Sequence, residues 1–358
     1  MLCRNIITGA AVLGLASAYA IPASDGFPNP DNQQLMQMQT TAGGSLSNAK
    51  PPIELSEDGV ANFQLIAFNE QFEVAFFSSL IENITNNVEG YQSVPGMSDT
   101  AEILEILQTV KAQEELHVIS ALEVLNHFNA TLIPAPCEYK FPTSDLESAL
   151  SLAVTFSSVV LGTLASAEKS FADNGDASGI IRQVASIIGQ EGEQTGFYRF
   201  MLKRQPSEKP FLTMSTGPFA FSALQQFIVS CPFDISAIPI PTFPVLDVMT
   251  TPEAKDMTLK FSADLSGSGV TVGSVSEENL FITYLTGQQL PVSVPISNVQ
   301  GFGDTITFEA EFPYTENVMD GLSIAALTKA SSFADADDIA AETLAAPGLI
   351  QVNKMLAK

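Results

Sequence analysis

Glu114-Glu115-Leu116-His117 sets a carboxylate and an imidazole three residues apart. On a helix that spacing brings both to one face, where they can hold one metal ion. Such a pair is common in Glu-rich helices, so its weight comes from register. A turn centred near residue 93 puts Glu70 about 23 residues upstream, opposite a position near 116 on an antiparallel neighbour. A second hairpin should supply a matching set. Glu191 stands at the right place, but Gln194 occupies the position of a second histidine, and an amide is a weaker ligand than an imidazole. Counting back across a turn near residue 174 sets Ser157 opposite Glu191, where a further carboxylate would be needed. Glu70, Glu114, His117 and Glu191 therefore suffice for one iron or manganese ion at most. The bland alternative is a buried Glu–His hydrogen-bonded pair with no metal. His127, near the end of the same helix, reads as a surface residue.

Four helices have to position these groups, and the sequence predicts them over 57–88, 98–128, 143–172 and 177–204. In the first, Phe63, Ala67, Glu70, Val74, Phe77, Ile81 and Ile84 step by three and four, so a carboxylate interrupts an apolar stripe. In the second, Ile103, Ile106 and Val110 lead into Glu114 and His117 in the same way. Thr143-Ser144-Asp145 caps the third, which is apolar on most sides. The fourth ends at Lys203-Arg204, where positive charge suits a helix C-terminus. Short turns join helices one to two and three to four. About 14 residues, with Pro134, Pro136 and Pro142, separate two from three, enough for one crossover along a bundle. The expected fold is mainly α: a ferritin-like four-helix bundle over 53–235, then a linker and a small β-sandwich-like domain over 236–358. Its strands are expected at 257–263, 270–275, 280–285, 290–296, 305–312 and 322–327.

The first 20 residues have Arg4, an apolar run from Ile6 to Ala16, and small residues at Ala18 and Ala20, the form of a secretory leader. Residues 21–52, rich in Pro, Gln, Asn, Gly and Ser, read as a flexible arm. No later window offers the apolar length of a membrane span. Export makes a Cys137–Cys231 disulfide the natural pairing and turns Asn83 and Asn129 into glycosylation sites. A formal charge of −25 disfavours nucleic acid and anionic membrane surfaces as partners. The chain has no Gly-rich phosphate loop and no GxSxG nucleophile turn.

Asn69-Glu70-Gln71-Phe72-Glu73 with Phe76-Phe77, the Glu114–His117 motif, Val159-Val160-Leu161-Gly162-Thr163-Leu164, and above all Gly189-Gln190-Glu191-Gly192-Glu193-Gln194-Thr195-Gly196-Phe197-Tyr198-Arg199 resemble a fungal ferritin-like family. Within it they resemble the late sexual development proteins. The resemblance spans residues 57–235. It implies metal ligands at Glu70, Glu114, His117 and Glu191, with Ser157 and Gln194 where the family has its remaining Glu and His. It also implies a secreted or wall-associated role in fungal development or stress. The preferred expectation is a non-catalytic extracellular protein with a degenerate metal site and with cell-wall or other extracellular proteins as partners. The runner-up is a protein or oxidoreductase that binds one iron or manganese ion.

Overall fold

The computed structural model describes residues 18–92, 100–176, 178–266, 268, 270 and 279–356. Most of the leader-like segment and almost all of the strand expected at 270–275 lie outside the described residues. Helices α1 (Asn32–Ala42), α2 (Glu57–Thr85), α3 (Thr100–His127), α4 (Leu146–Asp173), α5 (Ser178–Met201) and α6 (Gly217–Gln225) make up the first part. The four long ones are the predicted helices, with ends displaced by no more than three residues.

Local chemistry sets where they begin. The Ser56 hydroxyl caps α2 by accepting from Gly59 N at 2.9 Å and donates to Asp176 at 2.7 Å, so one side chain both starts α2 and pins the α4–α5 turn beside it. Asp145 caps α4 in a capping box with Ser148. α2 packs antiparallel on α3, and α4 on α5. The crossover runs along α2, where the buried amides of Gln64 and Gln71, two turns apart, each donate at 2.9 Å to the carbonyls of Leu132 and Pro134. α4 is apolar and long enough to cross a membrane by length and composition, contrary to the sequence expectation, but 83% of its most apolar window is buried inside the bundle.

The arm is a correction. Instead of a flexible segment, residues 32–42 form α1, with an Asp31–Gln34 capping box at its start and Gly43 in the left-handed conformation at its end. Phe27, Met38 and Ala42 are buried in the same cluster as Ala112, Leu116 and Ile119 of α3, and Lys111 reaches Asp25 at 2.6 Å. Leu35, Met38 and Ala42 have helical spacing, but glutamines surround them and hide the period. Ahead of α1, Tyr19–Ala20 (β1) joins Glu138–Tyr139 (β2) and Ile228–Ser230 (β3) in a small antiparallel sheet.

Cys137 and Cys231 are bonded, fixing the crossover to the chain that follows α6. The bridge joins residues 94 apart in sequence, for which chain entropy gives about 4.7 kcal/mol. Replacing both cysteines by serine should lower the denaturant midpoint accordingly. An unchanged midpoint would show that the unfolded chain gains no freedom from the cut.

Among the described residues, seven strands form the second part: β4 (Leu246–Val248), β5 (Met257–Asp264), β6 (Phe281–Thr286), β7 (Val292–Phe302), β8 (Thr305–Phe312), β9 (Gly321–Thr328) and β10 (Thr343–Val352). They hydrogen-bond in the order β10-β9-β6-β7-β8-β5-β4, all antiparallel. A break in register between Ser297 and Gln300 lets β7 serve both halves. The sheet curls until Ala346 N, on the last strand, donates to the carbonyl of Pro244 beside the first at 2.9 Å. The expected two-layered β-domain is thus a single, nearly closed sheet around Phe261, Phe308, Phe312 and Tyr284.

The two parts share a core. Val159 of α4 and Phe219 of α6 pack in one cluster with Leu285, Leu322, Ile324 and Ala326 of the sheet. Gly162 of α4 permits the close approach, since a Cβ there would stand 2.1 Å from the carbonyl oxygen of Thr213.

Candidate metal centre

Glu70 on α2, Glu114 and His117 on α3, and Glu191 on α5 meet inside the bundle, with one ligand atom from each lying within 4.8 Å of every other. The three carboxylates are fully buried and His117 is 14% exposed, so the imidazole is the edge of the cluster that meets solvent. His117 Nδ1 is 2.8 Å from Glu114 Oε2 and 3.5 Å from Glu70 Oε2. The antiparallel count that pairs Glu70 with Glu114 and His117 is the geometry observed.

The surroundings are electrostatically lopsided. Among the described residues, Glu70 and Glu114 form ion pairs only with His117, and Glu191 forms none. Both carboxylate oxygens of Glu70 and both of Glu191 are buried without a hydrogen-bond donor. Burial pushes the Glu70 carboxyl up to about 7 despite the opposing pull of His117. Burial, then the charges of Glu70, Glu73 and Glu114, drive Glu191 well above the usual carboxylate range. Burial alone would lower His117, but Glu114 and Glu70 overcome it and hold the imidazolium form well above its ordinary range. A divalent cation answers all three imbalances together.

The donor set fits one such ion. Ligand bonds of about 2.1 Å place opposite members of a coordination shell roughly 4.2 Å apart, so the cluster has to contract by only a few tenths of an ångström. Three oxygens and one nitrogen suit iron or manganese. Gln194 stands where a two-ion centre needs an imidazole. Its Nε2 donates to Glu114 Oε1 at 2.7 Å, so the oxygen that would bridge to a second ion already accepts a hydrogen bond.

Ser157 is buried on α4 with an unpartnered hydroxyl, and a further acid, Glu73, acts on Glu191 from α2. Glu73 is fully buried one turn after Glu70. It accepts from Asn69 Nδ2 at 3.1 Å through Oε1 and leaves Oε2 without a donor. Burial, then Glu114 and Glu70, raise its pKa well above normal. The i, i+3 spacing within Glu70-Gln71-Phe72-Glu73 was the available signal. His127 is exposed at the end of α3 against the ring of Phe128, as expected for a surface residue. Of the two sequons, Asn129 is exposed in the turn after α3, while Asn83 is half-buried beside Tyr91.

A search among curated proteins gave no match to the chain. Residues 58–204, which span the four long helices from the second residue of α2 and include every member of the cluster, match the model of the ferritin-like domain, and the bundle they form has a ferritin-like fold.

Proposed function

We propose that the bundle binds one divalent transition-metal ion, iron or manganese, through Glu70, Glu114, His117 and Glu191, and that it neither stores iron nor runs two-ion oxidase chemistry. The observation that carries this reading is the buried group of three carboxylates against one imidazole, with no hydrogen-bond donor to the Glu70 and Glu191 oxygens among the described residues and the second-histidine position taken by an amide donor. A bound ion supplies Lewis acidity and one-electron chemistry. The chain's own contribution is an oxygen-rich cage closed on three sides, in which Glu114 and Glu70 orient His117.

The protein is further proposed to act outside the cell, in fungal development or wall biology, without catalysing a reaction of its own. The leader-like start, the disulfide, the exposed sequon at Asn129 and the resemblance of the α5 motif support that setting. Elemental analysis of protein loaded with Fe(II) or Mn(II) and then desalted should give one equivalent, and His117→Ala should reduce it to background with the fold intact by circular dichroism. Two equivalents in the wild type, or full loading of the variant, would defeat the one-ion reading.

A further inference from the structure

Amide side chains have two chemically different ends, and a chain of them can transmit orientation. Gln113, on the α3 face that meets α1, donates from Nε2 to the carbonyl of Ala42 at the end of α1, at 3.3 Å. A carbonyl can only accept, so the nitrogen of Gln113 must point to the arm and Oε1 must point the other way. That oxygen accepts from Gln190 Nε2 at 2.9 Å and from Gln194 Nε2 at 3.1 Å. The nitrogen of Gln194 is thereby fixed toward Gln113 and Glu114, while its oxygen faces the hydroxyl of Tyr198 at 3.4 Å. Gln194 is 7% exposed, so water does not offer it a ready alternative partner.

We infer that Gln113 is a positioning residue for the metal centre: held by the carbonyl of Ala42, it locks the Gln194 amide as a donor to Glu114 and keeps the Gln194 carbonyl oxygen away from the ion. The inference rests on the one-ion reading for its effect on metal affinity, but the orientation itself is a property of the metal-free protein. The hydrogen bond donated to Glu114 Oε1 stabilises the carboxylate charge and lowers its basicity, so that oxygen is the poorer ligand. Removing the lock frees the oxygen and lets the amide turn its own oxygen inward, so the affinity for a hard cation rises. A residue that only supported the fold would change affinity in the opposite direction.

Two variants separate the possibilities. Gln113→Leu removes the acceptor for Gln194. Gln113→Glu keeps an acceptor for Gln194 but has no proton to give the carbonyl of Ala42, so it tests the acceptor apart from the anchor. In metal-free protein, the Gln194 side-chain amide protons, followed by NMR with selectively labelled glutamine, should exchange slowly in the wild type and in Gln113→Glu, and rapidly in Gln113→Leu. In Mn(II) titrations, Gln113→Leu should bind about tenfold more tightly than the wild type, the size of effect usual for a group behind a metal ligand. Slow exchange in Gln113→Leu, weaker Mn(II) binding in that variant, or rapid Gln194 amide exchange in Gln113→Glu would overturn the inference. A wild type that takes up no Mn(II) would remove the one-ion reading, and the amide exchange would still decide the role of Gln113.

Discussion

Chelator-treated protein should lose thermal stability as pH rises from 5 to 7.5, and one equivalent of Mn(II) should abolish most of that loss. A carboxyl whose pKa is raised on folding holds its proton more tightly in the native state, so stability falls between its unfolded and its native pKa. Glu70 moves from 4.5 to about 7 under burial, and Glu73 and Glu191 move in the same direction. His117 adds to the effect. Its contribution is complete below its ordinary 6.5 and is lost as pH rises through its higher native value. At roughly 1.4 kcal/mol per pKa unit, Glu70 alone accounts for about 3 kcal/mol, or on the order of 5–10 °C in a domain of this size.

The window avoids two opposing groups. Below pH 5 the lowered aspartates Asp25, Asp145 and Asp320 begin to lose their stabilisation, and near pH 8 Lys209, lowered by burial to about 8, starts to act the other way. Glu115, raised by burial to about 7, contributes a slope that the ion cannot relieve, because it faces Lys111 and Asp25 and not the metal cluster. A flat profile in the metal-free protein, or a slope that Mn(II) leaves untouched, would mean that the buried carboxyls are not the cation-demanding group described above. Glu70→Gln should flatten the profile and weaken metal binding together.

The parts legible in the sequence were those written in periodicity and in turn chemistry. Glu70, Glu114, His117 and Glu191 were found because helices of regular pitch make register countable, and the count needs only the position of the turn. Glu73 was not reached by the same count, because a straight-helix estimate assigns one partner per position, whereas Glu191 also feels a second acid of α2, one turn after Glu70. Helix α1 was missed for a different reason. Its buried residues, Met38 and Ala42, are too few and too diluted by glutamine for a sustained stripe, and packing against α3 supplies what propensity alone does not. In the second part, strands were recognisable by alternation, but their order was not, since long-range pairing such as β6 with β9 leaves no local signature. The amide relay through Gln113 was equally invisible, because it depends on which end of each side chain points where.

Arg199→Ala should cost about 3–5 kcal/mol, the loss expected when one partner of a buried ion pair is removed. Arg199 is 1% exposed at the end of α5. It donates to the carbonyl of Gln205 at 2.8 Å, to Glu208 at 3.0 Å and to Asn353 at 2.9 Å, so one guanidinium joins the bundle to the chain beyond β10. Glu208 in turn accepts from Leu322 N and from Gln351, and Gly321 gives it room: a Cβ there would lie 2.2 Å from the Glu208 side chain, at a φ of +72° that favours glycine. Truncating Arg199 strands a buried carboxylate beside Lys209, a cation itself committed to Thr213, Thr286 and the carbonyl of Leu322. Arg199→Lys should recover little, because an ammonium cannot serve three acceptors arranged for a planar fork. Pairing Arg199→Met with Glu208→Leu should restore most of the loss, since the penalty comes from the unpaired charge. Urea midpoints of the single and double variants measure this directly, and a double variant no more stable than Arg199→Ala would show that the joint is held by shape and not by charge. Because Tyr198 precedes Arg199 and faces Gln194, the single variants should also loosen the metal centre, whereas the double variant should keep its ion.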